Sequence, residues 1–262
     1  MAWHKRWIRP DLATLFVAGD ISAAELKLLL ETAFGGWQPD ATVPAGRVPA
    51  GVTPPPQAAR IILVDRPNSP QSLILAGSLL PITGSQDLIA ERAAADVLGG
   101  LSTSRINMDI REEKNWAYGA YAGLTDGKGP LTSLIYAPVQ TDRTGDSIKA
   151  IQADIAAIRG PKPITPDERG RSIANSVLAL PGEFERGSAF LSALERNQLL
   201  GRPDDYYVTA ARRLGALTTA DLNRAVQLFG TDKLLWIVVG DRAKVEPQLK
   251  ALGLPVEVRS AP

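Results

Sequence analysis

The chain has 262 residues, 45% of them apolar, enough for one large or two modest domains with a packed core. Its 29 Lys and Arg against 28 Asp and Glu leave a formal charge of +1, which supplies no field for gathering phosphates or anionic lipid and sets nucleic acid aside as a partner. Cysteine is absent, which excludes disulfides, thiolate metal sites and cysteine nucleophiles together.

Met1 to Pro10 carries charges and tryptophans but no apolar run of signal-peptide length. The longest apolar runs elsewhere are strand-sized, so no membrane insertion is expected. Leu12 to Ala18 reads as a short buried strand closed by Gly19-Asp20. Ser22 and Glu25 form a capping-box pattern for a helix with Leu26, Leu29, Leu30 and Ala33 on one face, stopped by Gly35-Gly36. One strand and one helix cannot close a core, so this unit must dock on something. Residues 38–59 hold six prolines, Pro39, Pro44, Pro49, Pro54, Pro55 and Pro56, and read as a stiff linker.

Arg60 to Asp65 is the first strand after the linker, and Gln71 to Leu79 the second, across a turn with two prolines. Ser85 caps the next helix, which presents Leu88, Ala95 and Leu98 and ends at Gly99-Gly100. A second helix, Ser102 to Glu112, places Ile106 and Ile110 on one face and Arg105 and Asp109 as an ion pair on another. Ala117 to Leu124 and Leu131 to Pro138 are strands joined by Asp126-Gly127-Lys128-Gly129. That glycine-rich turn lies between two strands, the wrong context for a phosphate cradle.

Ile148, Ile151, Ile155 and Ile158 recur at helical spacing. Thr165-Pro166-Asp167-Glu168 starts another helix, with a cap, a first-position proline and a reciprocal glutamate. Pro181-Gly182 breaks it, and Phe184 to Leu200 resumes. Tyr206 to Leu214 is a further short helix, and Thr218 with Asp221 repeats the cap signal. Leu234 to Val239 is the last strand, followed by a helix with Val245, Leu249 and Leu252, and Pro255 to Pro262 is expected as a loosely held tail. The strand ending Val17-Ala18-Gly19-Asp20 and the one ending Val238-Val239-Gly240-Asp241 each lead into a helix, two copies of one unit 221 residues apart.

The most informative stretch is Ser85 to Tyr121. Arg111 leaves a helix end and Tyr118 enters a strand seven residues later, a spacing that can aim a guanidinium and a phenol at one ligand. The plainer alternative is a surface arginine and a packed strand tyrosine. The pattern of Gly99-Gly100, Ser104-Arg105-Ile106, Ile110 to Lys114 and Ala117-Tyr118-Gly119 resembles the second domain of the pitrilysin-type (M16) zinc metallopeptidases. That is the family of mitochondrial processing peptidase, insulin-degrading enzyme and bacterial two-subunit relatives.

The resemblance implies an α+β fold, a two-layer sandwich of a mainly antiparallel sheet backed by helices. It implies that Arg111 and Tyr118 hold the substrate backbone across from a zinc site, with Gln71 a secondary candidate on the same domain. Asn115 stands where the family most often has glycine, a departure that bears on the loop geometry. Tyr206 and Tyr207 are further candidates for facing a peptide groove, although a helix-packing pair is the plainer interpretation. Residues 1–37 would be the terminal strand-helix unit of an incomplete first domain, 38–59 the linker, and 60–262 a complete second domain.

His4 is the only histidine. Zinc catalysis draws on three protein ligands, so this chain alone is no zinc peptidase, and neither the His-x-x-Glu-His nor the His-Glu-x-x-His motif can be written. A serine hydrolase lacks both base and Gly-x-Ser-x-Gly elbow. Glu112 and Glu113 are adjacent on a helix and diverge, unlike the facing carboxylates of glycosidases. The expected role is therefore the zinc-free, substrate-binding half of a two-part metallopeptidase, with zinc on a histidine-bearing partner subunit or domain and peptide as substrate. Family resemblance favours the bacterial periplasm over the cytoplasm. The rivals are an assembly subunit resembling respiratory-complex core proteins and a peptide-binding module.

Overall fold

The computed structural model describes residues 2–46 and 58–260. Of the linker expected over 38–59, residues 47–57 lie outside them. Two compact units are formed, one from residues 1–53 and 181–204 and one from 54–180 and 205–262.

The first unit contains α1 (Ala2–Trp7), α2 (Ala23–Phe34) and α7 (Gly187–Leu200). Helix α2 starts where its capping box predicts, with the Glu25 amide donating to Ser22 Oγ at 3.3 Å and the Ser22 amide donating to Glu25 Oε2 at 3.1 Å. The strand expected over Leu12 to Ala18 is not formed. Its backbone meets no strand partner among the described residues, and without a ladder an apolar run stays irregular. Leu15 is 59% exposed and Leu28 on α2 is 66% exposed, so both apolar side chains remain uncovered.

The second unit is built on a six-stranded mixed sheet of β1 (Arg60–Asp65), β2 (Gln71–Thr83), β3 (Tyr121–Leu124), β4 (Pro130–Gln140), β5 (Leu235–Gly240) and β6 (Val256–Ser260), in the order β3-β4-β2-β5-β1-β6. Pairs β3–β4, β4–β2 and β2–β5 are antiparallel, and β5–β1 and β1–β6 are parallel. One face of the strands contributes Ile61, Leu63, Ile74, Ile135, Ala137, Trp236 and Val238 to the core. Against it pack α3 (Ile89–Ala95), α4 (Arg105–Asn107), α5 (Thr144–Arg159), α9 (Thr219–Ala225) and α10 (Arg242–Lys250), with α6 (Pro166–Glu183) and α8 (Tyr206–Ala216) completing the helices. The isoleucine stripe of α5 is wholly buried, as its period requires. This is the expected α+β two-layer sandwich.

Ser85 does not cap α3, because the turn Thr83 to Gln86 engages it: Ser85 Oγ bonds Thr83 Oγ1, and the helix starts at Ile89. In place of a loosely held tail, Val256–Ser260 form an edge strand, β6, paired parallel to β1. Helix α6 runs through Pro181 to Glu183. Arg105 does not pair with Asp109, since it reaches Glu168 at the start of α6, and Asp109 pairs with Lys114.

Candidate functional site

The segment between α3 and β3 is held by two wide helical turns and two polar staples. Helix α3 continues as a π-helical turn over Asp96–Gly100, and α4 as another over Met108–Glu113. Such turns insert one residue into a helix and re-aim the side chains that follow. Gly99 lets the first turn press directly on β3, because a Cβ there would collide with the Ala122 backbone. Asn107 is buried between the second turn and the sheet. Its Nδ2 donates to the Ser102 carbonyl at 2.6 Å and its Oδ1 accepts from the Ala120 amide at 3.1 Å. That contact keeps Gly119 and Ala120 out of the ladder, which is why the strand expected from Ala117 begins only at Tyr121 and Ala117 makes a single bridge to Val139.

The second π turn ends in a left-handed residue. Asn115 has φ +56°, a conformation that glycine and asparagine adopt most readily. The departure from glycine therefore preserves the turn. The Trp116 amide donates to the Ile110 carbonyl at 3.0 Å and closes the helix end. Gln140, at the end of β4, braces the loop twice, its amide donating to the Trp116 carbonyl at 2.9 Å and its Nε2 to the Asn115 carbonyl at 3.1 Å. Lys114 and Arg143 lie over the Trp116 ring at 5.5 and 6.0 Å.

On this braced loop Tyr118 is 88% exposed, and the Arg111 side chain is 45% exposed. Arg111 pairs with its neighbour Glu112 at 3.2 Å, an exposed contact too weak to hold the guanidinium against a better acceptor. Both groups are hydrogen-bond donors, and the backbone between them is fixed from three directions. Gln71 begins β2 and stands opposite Gln140 in the register, so it shares the sheet end that braces the loop, roughly 10 Å away at two strand spacings.

Tyr206 and Tyr207 lie elsewhere, at the start of α8, in an edge-to-face pair with ring centres 5.2 Å apart and Arg213 over the Tyr206 ring. Helix α8 packs on α3 in the helix layer. Gln140 and Asn107 had no role assigned from sequence. Asn107 carried no signal of one, since it is one polar residue among several on a mixed helix.

No group of three His, Asp or Glu side chains among the described residues could hold a metal ion, and His4 stands exposed on α1. The residues present do not fit a zinc centre. No helix among the described residues is long and apolar enough to cross a membrane.

The sequence pattern of the family described as Peptidase M16 inactive domain matches residues 1–175. No curated protein matches the chain. Among solved structures, the peptidase M16 inactive domain from Pseudomonas fluorescens is 20% identical, with TM-score 0.72 over 85% of this chain and 52% of that one. A protease from Helicobacter pylori is 19% identical, with TM-score 0.78 over 90% of this chain and 57% of that one. The periplasmic protease PqqL from Escherichia coli is 16% identical, with TM-score 0.67 over 85% of this chain and 24% of that one. The chain thus spans about half the length of the first two. At these identities the likeness is one of fold.

Proposed function

Because the chain belongs to the Peptidase M16 inactive-domain family, we propose that it is the substrate-binding, zinc-free half of a two-part metallopeptidase, in which Arg111 and Tyr118 hold an extended peptide opposite a zinc site on another domain or subunit. The observation that carries this role is the joint exposure of the two donors on a loop braced by Asn107, Asn115 and Gln140. Arg111 would donate to a substrate carbonyl and Tyr118 to an oxygen near the scissile group. Preorganised donors of this kind favour negative charge developing on oxygen and so stabilise the transition state more than the ground state. Gln71 would extend the same face.

Burial of Arg111 or Tyr118 against the chain's own residues would favour an assembly role alone, and neither is buried in that way. On this proposal residues 60–262 form the inactive domain, 38–59 the linker, and 1–37 the end of a companion domain. The complex would be a heterodimer or a longer two-domain arrangement. One relative described as periplasmic makes the periplasm the proposed compartment.

The test is to mix the purified chain with its histidine-bearing partner and follow cleavage of an unstructured peptide. Arg111→Ala and Tyr118→Phe should each lower kcat/KM about 100-fold to 1000-fold, the loss expected for one transition-state hydrogen bond. Unchanged turnover in both variants rejects the assigned roles.

A further inference from the structure

We propose that Asp154 is a pH-sensing positioning residue, whose gain or loss of charge opposite Asp109 and Glu113 sets the conformation of the π turn that carries Arg111. Asp154 lies on α5, the helix that packs directly against that turn and against α4. Its Oδ2 is sealed from solvent and has no hydrogen-bond partner. The charges that act on it most strongly come from the adjoining segment: Asp109 and Glu113 of the π turn, Lys114 at its end, and Arg105 of α4.

Neither cation in that set is idle. Lys114 is paired with Asp109 and Arg105 with Glu168. An ionised Asp154 would therefore be a third carboxylate beside two others, competing for a lysine already engaged. Burial, with Asp109 adding to it, pushes the Asp154 carboxyl up to about 6, against the opposing pull of Lys114 and Arg105. The arrangement seen here suits the neutral form. Deprotonation draws Lys114 from Asp109 toward Asp154, and the residues on either side of Lys114, Glu113 and Asn115, move with it. Arg111 lies three residues before Lys114 in the same wide turn, and its carbonyl accepts the Asn115 amide at 3.2 Å.

Trp116 reports this movement, since the Lys114 ammonium sits 5.5 Å from its ring. The fluorescence of the whole chain, taken as the difference from Trp116→Phe, should show an inflection near pH 6. The inflection should vanish in Asp154→Asn and persist in Asp96→Asn, which removes the other carboxyl held near 6. Its absence from the unmutated protein, or its survival in Asp154→Asn, overturns the proposal. Should Asp154→Asn fail to fold, carbon-detected NMR of the unmutated chain decides the matter. The Lys114 ε-carbon chemical shift should follow the Asp154 carboxyl transition with the same midpoint, and a Lys114 signal that stays flat while Asp154 titrates overturns the coupling.

The consequence for substrate rests on the peptide-holding role of Arg111. A blocked peptide of alanine, leucine and serine, which has no titratable group, should bind at least about fivefold more weakly at pH 7.5 than at pH 5, the lower end of typical couplings between sites. The difference should disappear in Arg111→Ala. If the Trp116 inflection is present while Arg111→Ala leaves affinity unchanged at both pH values, the peptide role of Arg111 falls and the titrating turn stands.

Discussion

Arg105 and Glu168 meet in a two-point ion pair, Nε to Oε1 at 2.7 Å and Nη2 to Oε2 at 2.8 Å, that joins the start of α4 to the start of α6 across 63 residues of sequence. Glu168 also accepts from the Thr165 amide and hydroxyl, so one carboxylate caps a helix and anchors a second. Arg105 further donates to the carbonyls of Lys162 and Pro163. Both side chains are mostly buried, and removing one partner strands the other. Arg105→Ala should destabilise the fold by about 3 kcal/mol, read as a lower urea midpoint at unchanged slope.

The same pair sets an acid limit. Burial alone would push the Glu168 carboxyl up, but Arg105 and Thr165 more than reverse this and bring it down to about 2. The group's folded value is depressed, so its contribution is complete above the ordinary carboxylate range and is lost as pH falls toward 2. Glu168→Gln should therefore shrink the stability difference between pH 5 and pH 2.5 in urea melts.

Two half-buried carboxyls act in the opposite sense. Asp96 is pushed up to about 6 by burial, opposed by Ser176 and Arg92, and Asp154 is also raised to about 6. Between the ordinary aspartate range and pH 6 the folded chain holds protons that the unfolded chain has released, so stability rises as pH falls through that window. Thermal melts should show Tm rising by roughly 2–4 °C for each kcal/mol gained between pH 7.5 and pH 5. The double substitution Asp96→Asn with Asp154→Asn should flatten that slope.

Asn115 offers a backbone test. In its left-handed conformation, Asn115→Gly should be neutral to within a few tenths of a kcal/mol, whereas Asn115→Ala should cost about 1 kcal/mol. Equal stability of the two variants in denaturant melts would show that the turn is not held in that conformation.

Asn107→Ala should cost about 1–3 kcal/mol, because the Ala120 amide and the Ser102 carbonyl both lose their partner in a buried setting. Hydrogen exchange should localise the damage, with Ala120 losing protection well before the amides of β2.

What could be read from the chain beforehand was local. The capping boxes at Ser22, Thr165 and Thr218 and the isoleucine stripe of α5 are decided within a few residues, and each stands where its pattern placed it. What escaped was decided by partners far away in sequence. Val256 and Val258 alternate like a strand, yet nothing nearby in sequence pairs with them, because their ladder is with Ile61 and Leu63. Ala117 to Leu124 looked continuous as a strand, and only Asn107 on a preceding helix explains why half of it leaves the sheet. The run Leu12 to Ala18 has a strand's composition without a ladder, which composition cannot supply. At the candidate site, Arg111 and Tyr118 were legible through their spacing and family pattern. Their bracing by Gln140 was not, since that contact depends on strand register.

The parallel half of the sheet has a consequence for how the chain is made. Strand β1 is flanked by β5 and β6 only, so Ile61 to Asp65 finds both neighbours some 175 to 195 residues later in the sequence. At ribosomal rates of about 5–20 residues per second, that strand waits on the order of 10–40 s before either neighbour has been synthesised. The antiparallel hairpins of β2, β3 and β4 can pair during the same interval, so the loop bearing Arg111 and Tyr118 is framed early and the sheet is closed last. A nascent chain of this fold exposes an apolar strand for tens of seconds, and it is at that stage that a chaperone would matter most.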